Sequence, residues 1–238
     1  LTLGERLPEY VRPFASRGFR TFLTTNGVGI GSAILRQHLE GFAAVQVSLD
    51  GLRPVHDRIR GRGRFDEAVA SLQRLREWGI ETAVMMTLHR DNVRDVERML
   101  DLCAELGARL SLERYSGPGR SDTVQPAQHD ELLRAFEVAH GHCLGSFDPC
   151  YTAFGAWYRG ATLAAGRSIQ GGCSAGIAAL GVTADLQVLS CVRIRTPVGD
   201  LRRSTLEEIW SGGPILDRLR RRDLLEEPCG SCSLSPVC

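Results

Sequence analysis

Apolar positions in the first part of the chain switch repeatedly between a helical and a strand period. Over residues 5–17, Leu7, Tyr10, Val11 and Phe14 recur at helical spacing, with Pro13 against the pattern and Gly18 as a stop. Residues 19–25 read as a buried strand that runs into the turn signal Thr25-Asn26-Gly27. A short helix is expected over 32–39, stopped by Gly41, and a second strand over 43–50. That strand ends Ser48-Leu49-Asp50-Gly51, and a period of two puts Ser48 and Asp50 on the same side. Residues 53–63 read as a loop. Phe65, Ala68, Val69, Leu72, Leu75 and Trp78 then mark one helix face, with Asp66 and Glu67 in the first turn, where the helix dipole favours anions. A third strand follows over 82–88. Asp91 or Asn92 is expected to cap a helix that buries Val96, Met99, Leu100, Cys103 and Leu106 before Gly107. A fourth strand over 109–115, a glycine-rich loop over 117–120 and a helix over 127–142 complete the series.

Strands alternating with amphipathic helices specify an α/β fold with a mostly parallel sheet. Each strand runs into polar or glycine residues, among them Asn26, Asp50, Thr87, His89 and Arg114. In parallel barrels functional side chains gather at such C-terminal strand ends. Four strands are too few to close a barrel, so the sheet is open or its first strands are missing. Past residue 145 the periodicity fades, glycine increases, and a cysteine-rich stretch with two hairpins is expected. The domains therefore read as 1–145 and 146–238.

Composition narrows the class. The 238 residues are 43% hydrophobic and 24% charged, with a formal charge of +1. No basic excess points to nucleic acid, and no run of about eighteen apolar residues predicts a membrane span. No export signal stands at the start, so a reducing, cytoplasmic compartment is the expectation. There, clustered thiols favour metal over disulfides. Of eight cysteines, five fall at Cys173, Cys191, Cys229, Cys232 and Cys238. Spacing alone does not separate a zinc site from iron–sulfur ligation. Cys103 reads as inert core, Cys143 is open, and Cys150 is expected not to ligate. Other candidates have bland readings too. Ser48 and Asp50 suit a strand-end turn, His56-Asp57 suits a cap, and Met85 and Met86 suit packing. Tyr151, Trp157 and Tyr158 suit linker packing.

Several runs together resemble a known family. Thr24-Thr25-Asn26-Gly27, Val47-Ser48-Leu49-Asp50-Gly51, His56-Asp57-x2-Arg60-Gly61 and Phe65-Asp66-x-Ala68 look like the middle of a radical S-adenosylmethionine (SAM) enzyme. Cys173-x12-Leu186-x4-Cys191 and Cys229-x2-Cys232-x5-Cys238 are similar to the start of a SPASM domain, the extension that holds auxiliary iron–sulfur clusters. Pro197-Val-Gly199-Asp-Leu201 and Leu206-Glu-Glu-Ile209-Trp210 fit that domain as well. Leu186 stands where the family usually has glycine. The family's Cys-x3-Cys-x2-Cys motif is absent, and further cysteines are expected after Cys238. The chain thus reads as a fragment lacking both ends.

The resemblance implies a partial (β/α)6-type radical SAM barrel without its first strands, followed by a small cysteine-rich SPASM domain with short hairpins. It implies S-adenosylmethionine and [4Fe–4S] clusters as cofactors, the catalytic cluster having no ligands here. Asn26, Ser48 and Asp50 would contact the cofactor, and Arg60 or Arg114 would clamp its carboxylate bidentately. Cys173 and Cys191 would belong to one auxiliary cluster, and Cys229, Cys232 and Cys238 to a second. The implied reaction is reductive cleavage of S-adenosylmethionine to a 5′-deoxyadenosyl radical that abstracts a substrate hydrogen. The implied partners are a peptide, protein or small-molecule substrate and an electron donor such as flavodoxin or ferredoxin. Val192 beside Cys191, where similar sulfatase-maturing enzymes carry aspartate, argues against that activity. A non-catalytic α/β scaffold or zinc-ribbon interaction module is the other reading.

Overall fold

The computed structural model describes residues 6–31, 33–115, 124–145, 175–228 and 230–232. They fall into two compact units, one on each side of the stretch 146–174. The expected domain boundary at 145/146 adjoins that stretch. The expectations for Cys150, Tyr151, Trp157, Tyr158, Cys173, Cys229, Cys238 and the loop over 117–120 lie outside the described residues.

In the first unit, four parallel strands pair in chain order: β1 (Phe22–Thr25), β2 (Ala44–Ser48), β3 (Thr82–Leu88) and β4 (Arg109–Arg114). Helices α1 (Leu7–Ala15) and α2 (Ala33–Leu39) precede β1 and β2, and α3 (Arg53–Arg60) and α4 (Arg64–Glu77) join β2 to β3. A 3-10 turn (Val93–Asp95) and α5 (Val96–Leu106) join β3 to β4, and α6 (His129–Gly145) follows.

The register aligns Thr25, Val47, Val84 and Leu110 across the sheet. One face of β3, Thr82, Val84, Met86 and Leu88, is buried, as are Leu72 and Leu75 of α4 and Val96, Met99, Leu100, Cys103 and Leu106 of α5. Met85 and Thr87 alternate onto the other face, so Met85 and Met86 do point opposite ways. Cys103 is 2% exposed, and burial pushes its thiol up to about 12, as an inert core residue requires.

Three expectations change. Strand β1 is not buried: Phe22 is 62% exposed, because β1 is the edge of the described sheet and only β2 pairs with it. The stretch read as a loop over 53–63 contains α3. Pro54 sits in its first turn, where a fixed φ suits a helix start and no amide bond is lost. Its side chains are so polar that His56 is the only residue it buries, which hid the helical period. Third, neither Asp91 nor Asn92 caps a helix through its side chain. Asn92 is fully buried and is used elsewhere.

Gly27 closes the turn after β1 with φ +83°, a left-handed conformation that glycine adopts without strain. A Cβ there would lie 3.2 Å from Val47 and 3.3 Å from the Ala68 backbone, and Ser71 Oγ donates to the Gly27 carbonyl at 2.6 Å. The turn is thus pressed against β2 and α4, which sets the position of Asn26.

The second unit is an antiparallel meander, β5 (Gly181–Val182), β6 (Gln187–Cys191) and β7 (Ile194–Asp200), in agreement with two hairpins. Helices α7 (Leu206–Gly212) and α8 (Pro214–Arg220) follow. Val188, Ile209 and Leu216 form the core, with Leu180, Val198, Leu201 and Trp210 packed around them. Thr205 and Glu208 start α7 with a reciprocal capping box. In the β5–β6 turn Leu186 takes φ +64°, so the backbone keeps the conformation that glycine would supply while the residue is leucine.

Candidate functional site

The C-terminal ends of the parallel strands open into a cavity of about 660 Å3. Asn26 and Val28 reach it from beyond β1, Asp50 from beyond β2, His56, Ile59 and Arg60 from α3, and Thr87, His89 and Tyr115 from the ends of β3 and β4. The volume and mixed lining are those of a small-molecule site.

Asp50 is the hub, and it is 4% exposed. Its carboxylate accepts from Arg60 Nε at 2.5 Å and from the Thr87 amide at 3.2 Å. Its own amide donates to His56 Nδ1 at 3.0 Å, and its carbonyl accepts from Asn92 Nδ2 at 2.8 Å. A buried carboxylate is tolerable only when paired and hydrogen-bonded in this way. Asn92 also donates to the Thr87 carbonyl at 2.8 Å and accepts from the His89 amide at 2.8 Å. One side chain thus ties the end of β2 to the end of β3. Asp57 faces the other way. It accepts from the Gly63 and Phe65 amides at 3.0 and 2.8 Å, which fastens the start of α4 and, with Phe65 the larger cause, lowers its pKa.

Two imidazoles line the cavity. Burial is the main cause that pushes both His56 and His89 below the usual histidine value. His56 is 1% exposed and His89 2%. Among the described residues His89 Nε2 is a buried polar atom with no hydrogen-bond partner.

Of the five residues expected to hold a cofactor, Asn26, Asp50 and Arg60 line this cavity. Asn26 Oδ1 accepts from the Val28 amide at 3.1 Å, which makes it a turn former as well as a wall. Ser48 lies two residues before Asp50 on the same face, paired with Met85, and is not among the lining residues. Arg114 ends β4 opposite Leu88, is exposed, and is also outside the lining. Of the two arginines expected to clamp a carboxylate, Arg60 lines the cavity, beside Arg64, and Arg114 does not. His56, Thr87, His89, Asn92 and Tyr115 were missed as site residues. The alternation Thr87-x-His89 at a strand end was the available signal.

Of the five expected metal ligands, Cys191 and Cys232 are described. Cys191 ends β6 and is half-buried, and Cys232 is exposed. Among the described residues no group of three or more His, Cys, Asp or Glu side chains converges on a metal position. No described helix is long and apolar enough to cross a membrane.

The fold and the strand-end site define a class, and comparison with known proteins agrees. Residues 2–103 match the radical SAM superfamily, and residues 173–233 match the SPASM iron–sulfur cluster-binding domain. The chain carries a radical SAM domain followed by a SPASM domain. Among curated relatives it is 28% identical to a pre-heme d1 synthase of Dinoroseobacter shibae, over 91% of this chain and 61% of that protein. It is 31% identical to a PqqA peptide cyclase of Ruegeria pomeroyi, over 95% of this chain and 62% of that protein. The chain thus spans about three fifths of the length of these two relatives. Among solved structures, Streptococcus suis SuiB bound to S-adenosylmethionine superposes with a TM-score of 0.76 at 16% identity, covering 97% of this chain and 57% of that one. That likeness bears on the fold.

Proposed function

We propose that the protein carrying this chain is a radical SAM/SPASM enzyme whose strand-end cavity binds S-adenosylmethionine and whose substrate is a peptide or protein side chain. The observation that carries this reading is the Asp50–Arg60 pair in the cavity, in a chain that matches both domain families. The residues fit the cofactor. Arg60 spends only Nε on Asp50 among the described residues, which leaves the outer guanidinium nitrogens for a carboxylate. His89 offers a buried donor without an acceptor. Val28, Ile59 and Tyr115 supply apolar wall for a purine.

A bound iron–sulfur cluster would supply the reducing electron, and bound S-adenosylmethionine would supply the radical chemistry. This chain's own residues bind and orient. Arg60 holds the carboxylate, and Asp50 fixes Arg60. Asn92 and His56 fix Asp50 through its backbone, and the buried floor excludes water. In the second unit Cys191 and Cys232 would ligate auxiliary clusters, Cys191 with Cys173 and Cys232 with Cys229 and Cys238. Reduction by a flavodoxin or ferredoxin in the cytoplasm completes the proposal.

Peptide modification is favoured by the likeness to the PqqA peptide cyclase, 31% identical over 95% of this chain. Action on a tetrapyrrole is the second reading, favoured by the pre-heme d1 synthase. Anaerobic purification of the whole protein that carries this chain, and its reconstitution with iron and sulfide, test the proposal. The expected sample is brown, holds iron, and releases 5′-deoxyadenosine from S-adenosylmethionine on reduction. A colourless protein with stoichiometric zinc and no iron would overturn it in favour of the interaction module. Mass spectrometry of peptide and porphyrin substrates then separates the two substrate classes.

A further inference from the structure

We infer that His89 is a binding residue of the strand-end cavity, where its Nε2–H donates a hydrogen bond to a neutral acceptor on the nucleoside part of the ligand. The inference rests on the reading of this cavity as the S-adenosylmethionine site. Three observations carry it.

The first is an unmet hydrogen-bonding group. His89 is 2% exposed yet lines the cavity, and its Nε2 has no partner among the described residues. A buried donor left unpaired opposes folding, so such groups mark places where a ligand completes the bonding. The second is the tautomer. His89 Nδ1 accepts from the Asp91 amide at 3.2 Å, and the Asp91 carboxylate lies 4.0 Å away, beyond hydrogen-bond reach. With Nδ1 an acceptor, the ring proton of the neutral imidazole sits on Nε2. Burial, the leading influence on its titration, favours that neutral form. The third is rigidity. The His89 amide donates to Asn92 Oδ1, and Asn92 is anchored to the ends of β2 and β3, so the ring starts from a fixed backbone.

The chemistry of the partner follows. Arg60 and Arg64 are the charged donors lining the cavity; Arg64 is paired with Glu67, and Arg60 suits the carboxylate end of the ligand. A neutral N–H at the buried floor suits a neutral acceptor instead, a purine nitrogen or a ribose oxygen. His89 is then a donor that places the nucleoside, with no proton to transfer.

The test is equilibrium binding of 5′-deoxyadenosine and S-adenosylhomocysteine to the reconstituted protein, with His89→Phe and His89→Gln. A glutamine amide nitrogen reaches the place of Nε2 and keeps a donor there. The Phe variant is expected to bind both ligands about tenfold more weakly, about 1.4 kcal/mol. Its unliganded melting temperature should be equal or higher, since an unpaired donor has gone. The Gln variant is expected to stay within about threefold of wild type. A Phe variant that binds like wild type overturns the inference. So does a Gln variant as weak as tenfold down, and this arm decides the matter even if the Phe variant fails to fold. Wild-type protein that binds neither ligand overturns the cofactor reading itself, which is a different result.

Discussion

At the scale of single residues, the site is held by groups whose titration is tied to burial. His56 and His89 both have native pKa values lowered below 6.5, with desolvation the largest cause. The unfolded chain therefore takes up protons at pH values where the native rings do not. Their contribution to stability is complete above about pH 6.5 and is lost as pH falls from there toward the lowered native values. Each ring contributes at most about 1.4 kcal/mol per pH unit inside that window. The melting temperature is expected to drop between about pH 7.5 and 5.5, and His89→Gln is expected to flatten part of the drop. An unchanged slope in that variant would assign the pH dependence to other groups. Leu186 makes a second residue-scale case. Its φ of +64° is unfavourable for a residue with a Cβ, and its side chain is 44% exposed, so little packing is lost on removing it. Leu186→Gly is expected to stabilise the second unit by about 1 kcal/mol, read by chemical denaturation. Here the sequence comparison had marked the position as unusual, and the backbone conformation shows that the turn itself is kept.

At the scale of elements, the strand ends are locked by Asn92 rather than by their own pairing. Its Nδ2 serves the carbonyls of Asp50 and Thr87 while its Oδ1 takes the His89 amide. Asn92→Asp replaces a donor shared by two carbonyls with an acceptor, and is expected to cost about 2–4 kcal/mol in denaturant unfolding. Stability within about half a kcal/mol of wild type would contradict that role. In the second unit Gly199 of β7 lets Ile209 of α7 lie against the strand. A Cβ at Gly199 would fall 2.6 Å from the Ile209 side chain. Gly199→Ala is expected to destabilise by about 1–3 kcal/mol, seen as a lower midpoint of unfolding. Periods of two and 3.6 made β2, β3, β4, α4 and α5 legible, because each has one face on a core. Helix α3 was not legible, since it buries only His56 and carries charge at Arg53, Asp57, Arg58 and Arg60. Strand β1 was legible as a strand but not as an exposed one. Neighbour identity, not local pattern, decides whether an apolar strand is covered.

At the scale of the whole molecule, two readings from sequence met different fates. The resemblance drawn from the Asn26, Asp50 and His56–Arg60 runs and from the cysteine spacing is supported by the matches to both domain families. The site residues divide. Asn26, Asp50 and Arg60 line the cavity, whereas Ser48, two residues before Asp50, and the exposed Arg114 are outside its lining. Which strand-end side chains converge depends on register and twist across four strands, and no single segment encodes that. The roles of His89, visible in sequence only as a strand-end residue, and of Asn92, read as a helix cap, were hidden for a related reason. Asn92 bonds to the Asp50 carbonyl far back along the chain, and His89 is tied to that point only through Asn92.

The most direct test is the yield of 5′-deoxyadenosine from the whole protein that carries this chain, reconstituted and chemically reduced, with Arg60→Met beside Arg114→Met as control. The account predicts product from wild type and from the Arg114 variant, and a loss of about tenfold or more on losing the Arg60 clamp, the scale of a charge-assisted bond of about 1.5–3 kcal/mol. No product from fully cluster-loaded wild type, or full activity in the Arg60 variant with loss in the Arg114 variant, would contradict it.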